Sequence, residues 1–355
     1  MANSNNLTAQ QRAVLFGAST RQHFQMLGMQ EVKGGMQTVS FRVPKSRIMA
    51  GVKLLVEGKI KLTHASETSY TLGDVDIYKA LRRISIDFNN GFNPIVVSGD
   101  EMALINMLYP APEMVKRGTG DTLCTVAEKL TASSGGAEND FSFMLDVPLT
   151  INYRDPVGLV LAQNAETNID INIDIANAAA VVNNASGFTA DFTSVKVTPM
   201  ISSFSIPSDT RAFPDMSVLK IVDSRNEVFT SGLSYIKLPV GMIYRKLIFK
   251  FETTDGAPLD LEHITSNIEL VFNTADVPYS VSPKMLKQIN TMQCGMAYPS
   301  NCLYFSFDYQ GVNGYGGSRD YIDAERITEL ALRFSADCGG KITIVSEKLS
   351  RLIAG

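Results

Sequence analysis

The eight residues from Asn168 to Ile175, Asn-Ile-Asp-Ile-Asn-Ile-Asp-Ile, alternate isoleucine with a short polar side chain without a break. A period of two places the four isoleucines on one face of a pleated strand and the Asn and Asp residues on the other. Asn and Asp are poor strand formers, so the buried β-branched face must carry this strand. The same parity recurs in Phe141, Phe143, Leu145, Val147, Leu149 and Ile151, and in shorter runs at 84–88, 268–272, 303–307 and 330–334. Strands wet on one face belong to antiparallel sheets, because parallel sheets are covered on both faces. The chain therefore reads as a mainly antiparallel, all-β protein.

Its 355 residues exceed what one β-sandwich needs and suit two domains of about 150 to 170 residues each. With 45% hydrophobic and 19% charged residues the composition is globular, and no run of 18 apolar residues offers a membrane span. The start, Met-Ala-Asn-Ser-Asn-Asn, lacks the basic and apolar regions of a signal peptide, so folding in a cytoplasm is expected. A formal charge of −4 gives no bulk attraction for nucleic acid, and no sequence-specific nucleic-acid partner is expected. Cys124, Cys294, Cys302 and Cys338 form no C-x-x-C pair, which points to ordinary thiols and away from zinc or redox chemistry.

The first 30 residues differ from the rest. Thr8 and Gln11 fit a capping box, and the spacing predicts an amphipathic helix over Ala9 to Leu27. Arg12 and Arg21 meet no acidic residue before Glu31, and Phe16, Phe24 and Leu27 supply large apolar groups. These five residues are the candidate contacts of an arm with a neighbouring subunit or an anionic membrane surface, the alternative being a helix packed along the domain. Strands are predicted near 37–43, 49–63, 82–88, 93–98, 139–151, 168–176 and 195–206. A second series is predicted near 234–240, 244–253, 265–273, 277–281, 302–309, 326–335 and 341–347. Short helices are expected from Asp100 to about Tyr109 and from Ser282 to about Gln293, the latter with Pro283 at its first position.

The two series echo each other. Each helix is followed by Tyr-Pro (109–110 and 298–299), then by Phe-Ser-Phe (141–143 and 305–307), then by an alternating strand. This order predicts two tandem eight-stranded jelly-roll sandwiches behind an N-terminal helix. The expected divisions are a helical arm at 1–36, a first jelly roll at 37–207, a linker at 208–214 and a second jelly roll at 215–355. Residues 111–140, with Gly118, Gly120, Gly135 and Gly136, read as an insertion serving binding or assembly.

In element order the chain resembles the double jelly-roll major capsid proteins of tectivirus-type phages, which are tailless and icosahedral with an internal membrane. The local matches are Leu7-Thr8-Ala9-Gln10-Gln11, the segment Asp140 to Thr150 with Val147-Pro148-Leu149, and Gly158-Leu159-Val160-Leu161-Ala162-Gln163. The resemblance implies a structural protein of the virion: a homotrimer of pseudo-hexagonal outline that tiles a shell with neighbouring capsomers and minor capsid proteins. It also implies that the N-terminal helix faces the internal membrane.

Catalytic chemistry is not indicated. His23, His64 and His263 are isolated, and no H-x-H, H-E-x-x-H or G-x-S-x-G occurs. Asp255, Asp260 and Glu262, and likewise Asp320, Asp323 and Glu325, are acidic loop clusters without EF-hand spacing. The run Gly311 to Gly317 lacks the Gly-Lys-Ser/Thr of a P-loop and reads as a flexible loop. No cofactor and no enzyme activity are expected. The competing readings are a carbohydrate- or receptor-binding jelly roll, disfavoured by the lack of Trp, and a cupin-like enzyme, disfavoured by the scattered histidines.

Overall fold

A computed structural model describes residues 9–89, 91–108, 117–118, 124–151, 157–163, 166–214, 216–307 and 321–351. The first half contains α1 (Ala9–Ser19), β1 (Gln22–Met26), β2 (Gln30–Val32), β3 (Thr38–Arg42), β4 (Ile48–Thr63), β5 (Ser69–Thr71), β6 (Leu81–Phe88), β7 (Phe92–Val97) and α2 (Gly99–Asn106). It continues with β8 (Arg117–Gly118), β9 (Cys124–Val126), β10 (Lys129–Thr131), β11 (Ala137–Pro148), β12 (Val160–Leu161), β13 (Ile169–Ile175) and β14 (Thr189–Phe204). The second half contains β15 (Val218–Phe229), β16 (Gly232–Leu238), β17 (Ile243–Glu252), β18 (Ile268–Phe272), β19 (Asp276–Val281) and α3 (Pro283–Cys294). It ends with β20 (Cys302–Ser306), β21 (Ile322–Asp323), β22 (Leu330–Ala336) and β23 (Gly340–Arg351).

Alternation in the sequence becomes alternation in burial. In β13 every isoleucine is buried while Asp170, Asn172 and Asp174 face partly outward. Those polar side chains are used across the sheet: Arg42 donates two hydrogen bonds to Asp170, Ser40 donates to Asn172, and Thr38 to Asp174. Phe141, Phe143, Ile171, Ile173, Phe305, Phe307, Leu330 and Leu332 are all buried, as their parity predicts.

The two halves repeat one topology. In the first, β14, β4 and β11 form one sheet and β7, β6, β13 and β3 the opposing one. In the second, β23, β17 and β20 form one sheet, opposed by β19, β18, β22 and β16. Each strand of the second set therefore has its counterpart, in the same order, in the first. One hairpin matches residue by residue. Ile84 pairs Val97, Ile86 pairs Ile95, and after an irregularity Phe88 pairs Phe92; Ile268 pairs Val281, Leu270 pairs Tyr279, and after the same irregularity Phe272 pairs Asp276. Asn89 and Asn273, which follow the two phenylalanines, both adopt positive φ, a region Asn tolerates better than most residues. Ile, Phe, Asn, Pro, Val and Ser at 84, 88, 89, 94, 97 and 98 thus recur at a constant offset of 184 (268 minus 84).

A second correspondence sits at the start of β4 and β17. Ile48 and Met49 pair with β12, and Ile243 and Tyr244 pair with β21. The ladders then skip Ala50 and Arg245, so these bulged residues are equivalent. On this register the two Phe-Ser-Phe runs lie in equivalent strands but not at equivalent rungs, since Phe305 sits opposite Leu247 and Phe141 opposite Gly58.

The N-terminal segment departs from expectation. The helix ends at Ser19, where the Ser19 and Thr20 hydroxyls donate to the carbonyls of Leu15 and Phe16 and so satisfy last-turn acceptors. Residues 22–26 and 30–32 are strands, not helix: β1 and β2 run antiparallel along β14, and the Leu27 amide bridges them by donating to Pro199. The edge of β14 offers these amides and carbonyls partners, which outweighs the helix propensity of Gln and Met. Together β1 and β2 occupy, beside β14, the place that β15 occupies beside β23. The strand β15 was also outside the expected series.

Within residues 111–140, β9 pairs with β11 and β10 with β5. Thr8, Tyr109-Pro110, Gly120, the Gly311 to Gly317 run and Asp320 lie outside the described residues.

Candidate assembly surfaces

The two sandwiches meet along a built seam. Strand β7 of the first pairs in parallel with β15 of the second, Ile95 opposite Val222 and Val96 opposite Asp223, so that one sheet runs through both halves. Val222, Ile248, Cys294, Tyr298, Cys302, Tyr304 and Val345, all from the second half, are buried in the same apolar cluster as the first half's core. Helix α2 packs into this seam. The capping box of Ser98 and Glu101 fixes its start. The Tyr298 hydroxyl donates to the carbonyl of Leu104 at 3.0 Å, and the Cys294 thiol to that of Met107 at 3.1 Å.

A buried ion pair crosses the seam. Lys250 Nζ on β17 donates to Asp100 Oδ2 on α2 at 2.7 Å and lies 3.3 Å from Glu252. Burial opposes ionisation of Asp100, but the charges of Lys250 and Lys79 and hydrogen bonds from Lys250 and Ser98 prevail and hold its carboxyl at about 2. Burial likewise opposes the Lys250 ammonium, yet Asp100 and Glu252 keep it above its ordinary value. Burial, reinforced by the charge of Asp100, pushes neighbouring Glu101 upward.

A second buried cluster closes the near end of the second sandwich. Glu347 lies 3.2 Å from Lys220 and 3.5 Å from Arg245. Burial works against its charge, but Lys220, Lys246 and Arg245 hold it at about 2.

The five candidate arm residues separate. Phe16 is buried against Ile48, Ala50 and Leu159 and meets the Phe204 ring edge-on at 5.2 Å. Leu27 is partly buried against the first core. Arg12 is half-buried; Arg21 is exposed, with its amide donating to Ser205 Oγ at 2.9 Å. Phe24, on β1, is 57% exposed, and Met26 and Met29 beside it are also exposed.

The loop chemistry serves structure. His64 Nδ1 accepts from the amides of Ser66 and Glu67, and the ring packs on Phe188 at 4.4 Å. Asp260 and Asp323 each accept the amide two residues on, capping short 3₁₀ turns. His263 Nδ1 lies 2.8 Å from Asp337, and Cys338 completes a largely exposed trio of ligand atoms within 4.8 Å of one another.

The fold and its seam define a double jelly roll. No family model matches the sequence, and no curated protein matches it. Among solved structures, the chain is similar to the major capsid protein of STIV, the Sulfolobus turreted icosahedral virus, with a TM-score of 0.66 at 14% identity over 93% of this chain and 97% of that one. It is similar to the capsid of PBCV-1 virus (TM-score 0.61, 12% identity, 95% and 96% covered). It is also similar to the major capsid protein P2 of bacteriophage PM2 (0.52, 11%, 93% and 98%). At such identities what is shared is the double jelly-roll fold.

The hairpin repeat at offset 184 and the first strand of each half escaped the sequence reading. The repeated Phe-Asn and Pro-x-x-Val-Ser were the available signal for the hairpin.

Proposed function

We propose that the chain is the major structural protein of an icosahedral virion, acting by self-association and not by catalysis. The seam carries this reading: two equivalent sandwiches locked side by side form a rigid block. Three such blocks approximate sixfold packing while obeying threefold symmetry. The likeness to capsid proteins of three viruses over nearly the whole chain supports it. The trimer tiles with neighbouring capsomers and minor capsid proteins. Arg12 and Arg21, on the helix side of the first sandwich, contact anionic headgroups of an internal membrane, each contributing about 1 kcal/mol. The division into an arm at 1–36 and sandwiches at 37–207 and 215–355, with a linker between, belongs to the same reading.

Sedimentation and electron microscopy of the purified protein test it. A particle of about 116 kDa, three times 38.7 kDa, with a hexagonal outline is expected. A protein that stays monomeric at high concentration overturns it.

A further inference from the structure

We infer that β1 of one chain accepts β19 of a second copy as a parallel strand, with Tyr279 opposite Phe24 and Ser280 opposite Gln25. The inference rests on the trimeric reading and specifies its seam. Inside the chain, β7 fills the outer edge of β15. The counterpart of β7 is β19, fixed by the shared irregularity, by Pro94 and Pro278, and by the helix caps Ser98 and Ser282. The counterpart of β15 at this height is β1. Phe24 faces Ser202, which faces Gly51, the residue after bulged Ala50; Val222 faces Glu347, which faces Lys246, the residue after bulged Arg245. Phe24 and Gln25 therefore stand where Val222 and Asp223 stand. Among the described residues, β1 and β19 are each the last strand of their sheet.

Exposure follows the same map. Val222 is 2% exposed beneath the first sandwich, whereas Phe24, at the matching place, is 57% exposed. On the other side of the seam, Glu101 is buried and Leu108 partly buried on and beside α2. Their counterparts at offset 184, Met285 and Met292, are exposed, Met292 at 83%. Lys250 corresponds to Leu55 (250 minus 195, the offset from Ile48 to Ile243), which is exposed in turn. Large apolar groups thus stand uncovered on both sides where the internal seam has buried partners, and because the counterparts of Asp100 and Lys250 are Lys284 and Leu55, the external seam has no equivalent of that ion pair. Proline at 278 has no amide to donate and suits an edge where pairing starts one residue later, as Pro94 precedes Ile95. Two edges of matching direction, one already filled by the partner's internal equivalent, make a head-to-tail interface that closes after three chains.

The test is a double variant, Phe24→Cys with Tyr279→Cys, in a Cys338→Ser background, oxidised and run on non-reducing gels. Residues paired across a strand seam lie within disulfide reach, so covalent dimers and trimers are expected. A control pairing Tyr279→Cys with Val228→Cys, at the far end of β15, should give none. Phe24→Glu should weaken association about 30-fold or more, as a central anchor does, with the monomer's melting unchanged. Trimers by sedimentation that do not cross-link at 24 and 279, or that tolerate Phe24→Glu, overturn this seam while leaving the trimer standing. Absence of trimers in the unmodified protein overturns the trimer and this seam with it.

Discussion

The near ends of the two sandwiches solve one problem with opposite chemistry. In the second, buried Lys220, Arg245, Lys246, Glu347 and Lys348 fill the end. In the first, the equivalent residues are Gln22, Ala50, Gly51, Ser202 and Ser203, all uncharged and mostly small. The room left by Ala50 is taken by Phe16 from α1. An end plugged by a helix and an end plugged by ions are thus alternatives at the same position. Helix α1 thus packs on the first sandwich as its plug, and Arg245 does in one half what a helix does in the other.

Deleting residues 1–33 should have the largest effect. That removes α1 and the eight rungs of β1 and β2 (five plus three), and stability should fall by more than about 5 kcal/mol, read by denaturant melts. A truncated protein with unchanged melting would show that the helix plug is dispensable.

Next in size, Glu347→Gln leaves buried Lys220 and Arg245 without their countercharge and should cost about 3 to 5 kcal/mol in the same assay. Phe16→Ala, at the first sandwich's plug, should cost about 3 kcal/mol, and Phe16→Leu much less.

Acid distinguishes the two plugs further. Asp100 and Glu347 are held at about 2, below their unfolded values of about 3.9 and 4.3. Each carboxylate's contribution is therefore complete above about pH 5 and is lost as pH falls through 4 toward 2. Melts at stepped pH should show the gap between the unmodified protein and Glu347→Gln closing over that window, while the gap to Phe16→Ala stays constant. The smallest effect belongs to Arg42→Ala. The Arg42 end of its bidentate pair with Asp170 is solvent-exposed, and its removal should leave the denaturation midpoint close to that of the unmodified protein.

What the sequence revealed follows the same physics. Strands with one wet face, such as Ile169–Ile175 and the run around Phe141 and Phe143, announce themselves by period two. β15 does not: Leu219 and Lys220 are both buried because its neighbours cover it on both sides and a charge cluster fills its end. Gln22–Met26 is a strand because β14 lies beside it, a tertiary fact that Gln-His-Phe-Gln-Met cannot express. Of the candidate arm residues, large apolar character marked Phe16 and Phe24 alike, although one is buried in a plug and the other stands on an open edge. Their difference lies in which neighbour each meets.

The parallel pair joining β7 to β15 bears on how quickly a ring can form. In the proposed ring of six sandwiches built from three chains, half of the six seams would already be made when each chain has folded. The segment after Phe204 delivers one sandwich to the other at the high effective concentration of a short tether, about millimolar. Only three seams are left for diffusion to find, and those depend on protein concentration while the other three do not. Dilution should therefore take such a ring apart into intact pairs of sandwiches and never into single ones.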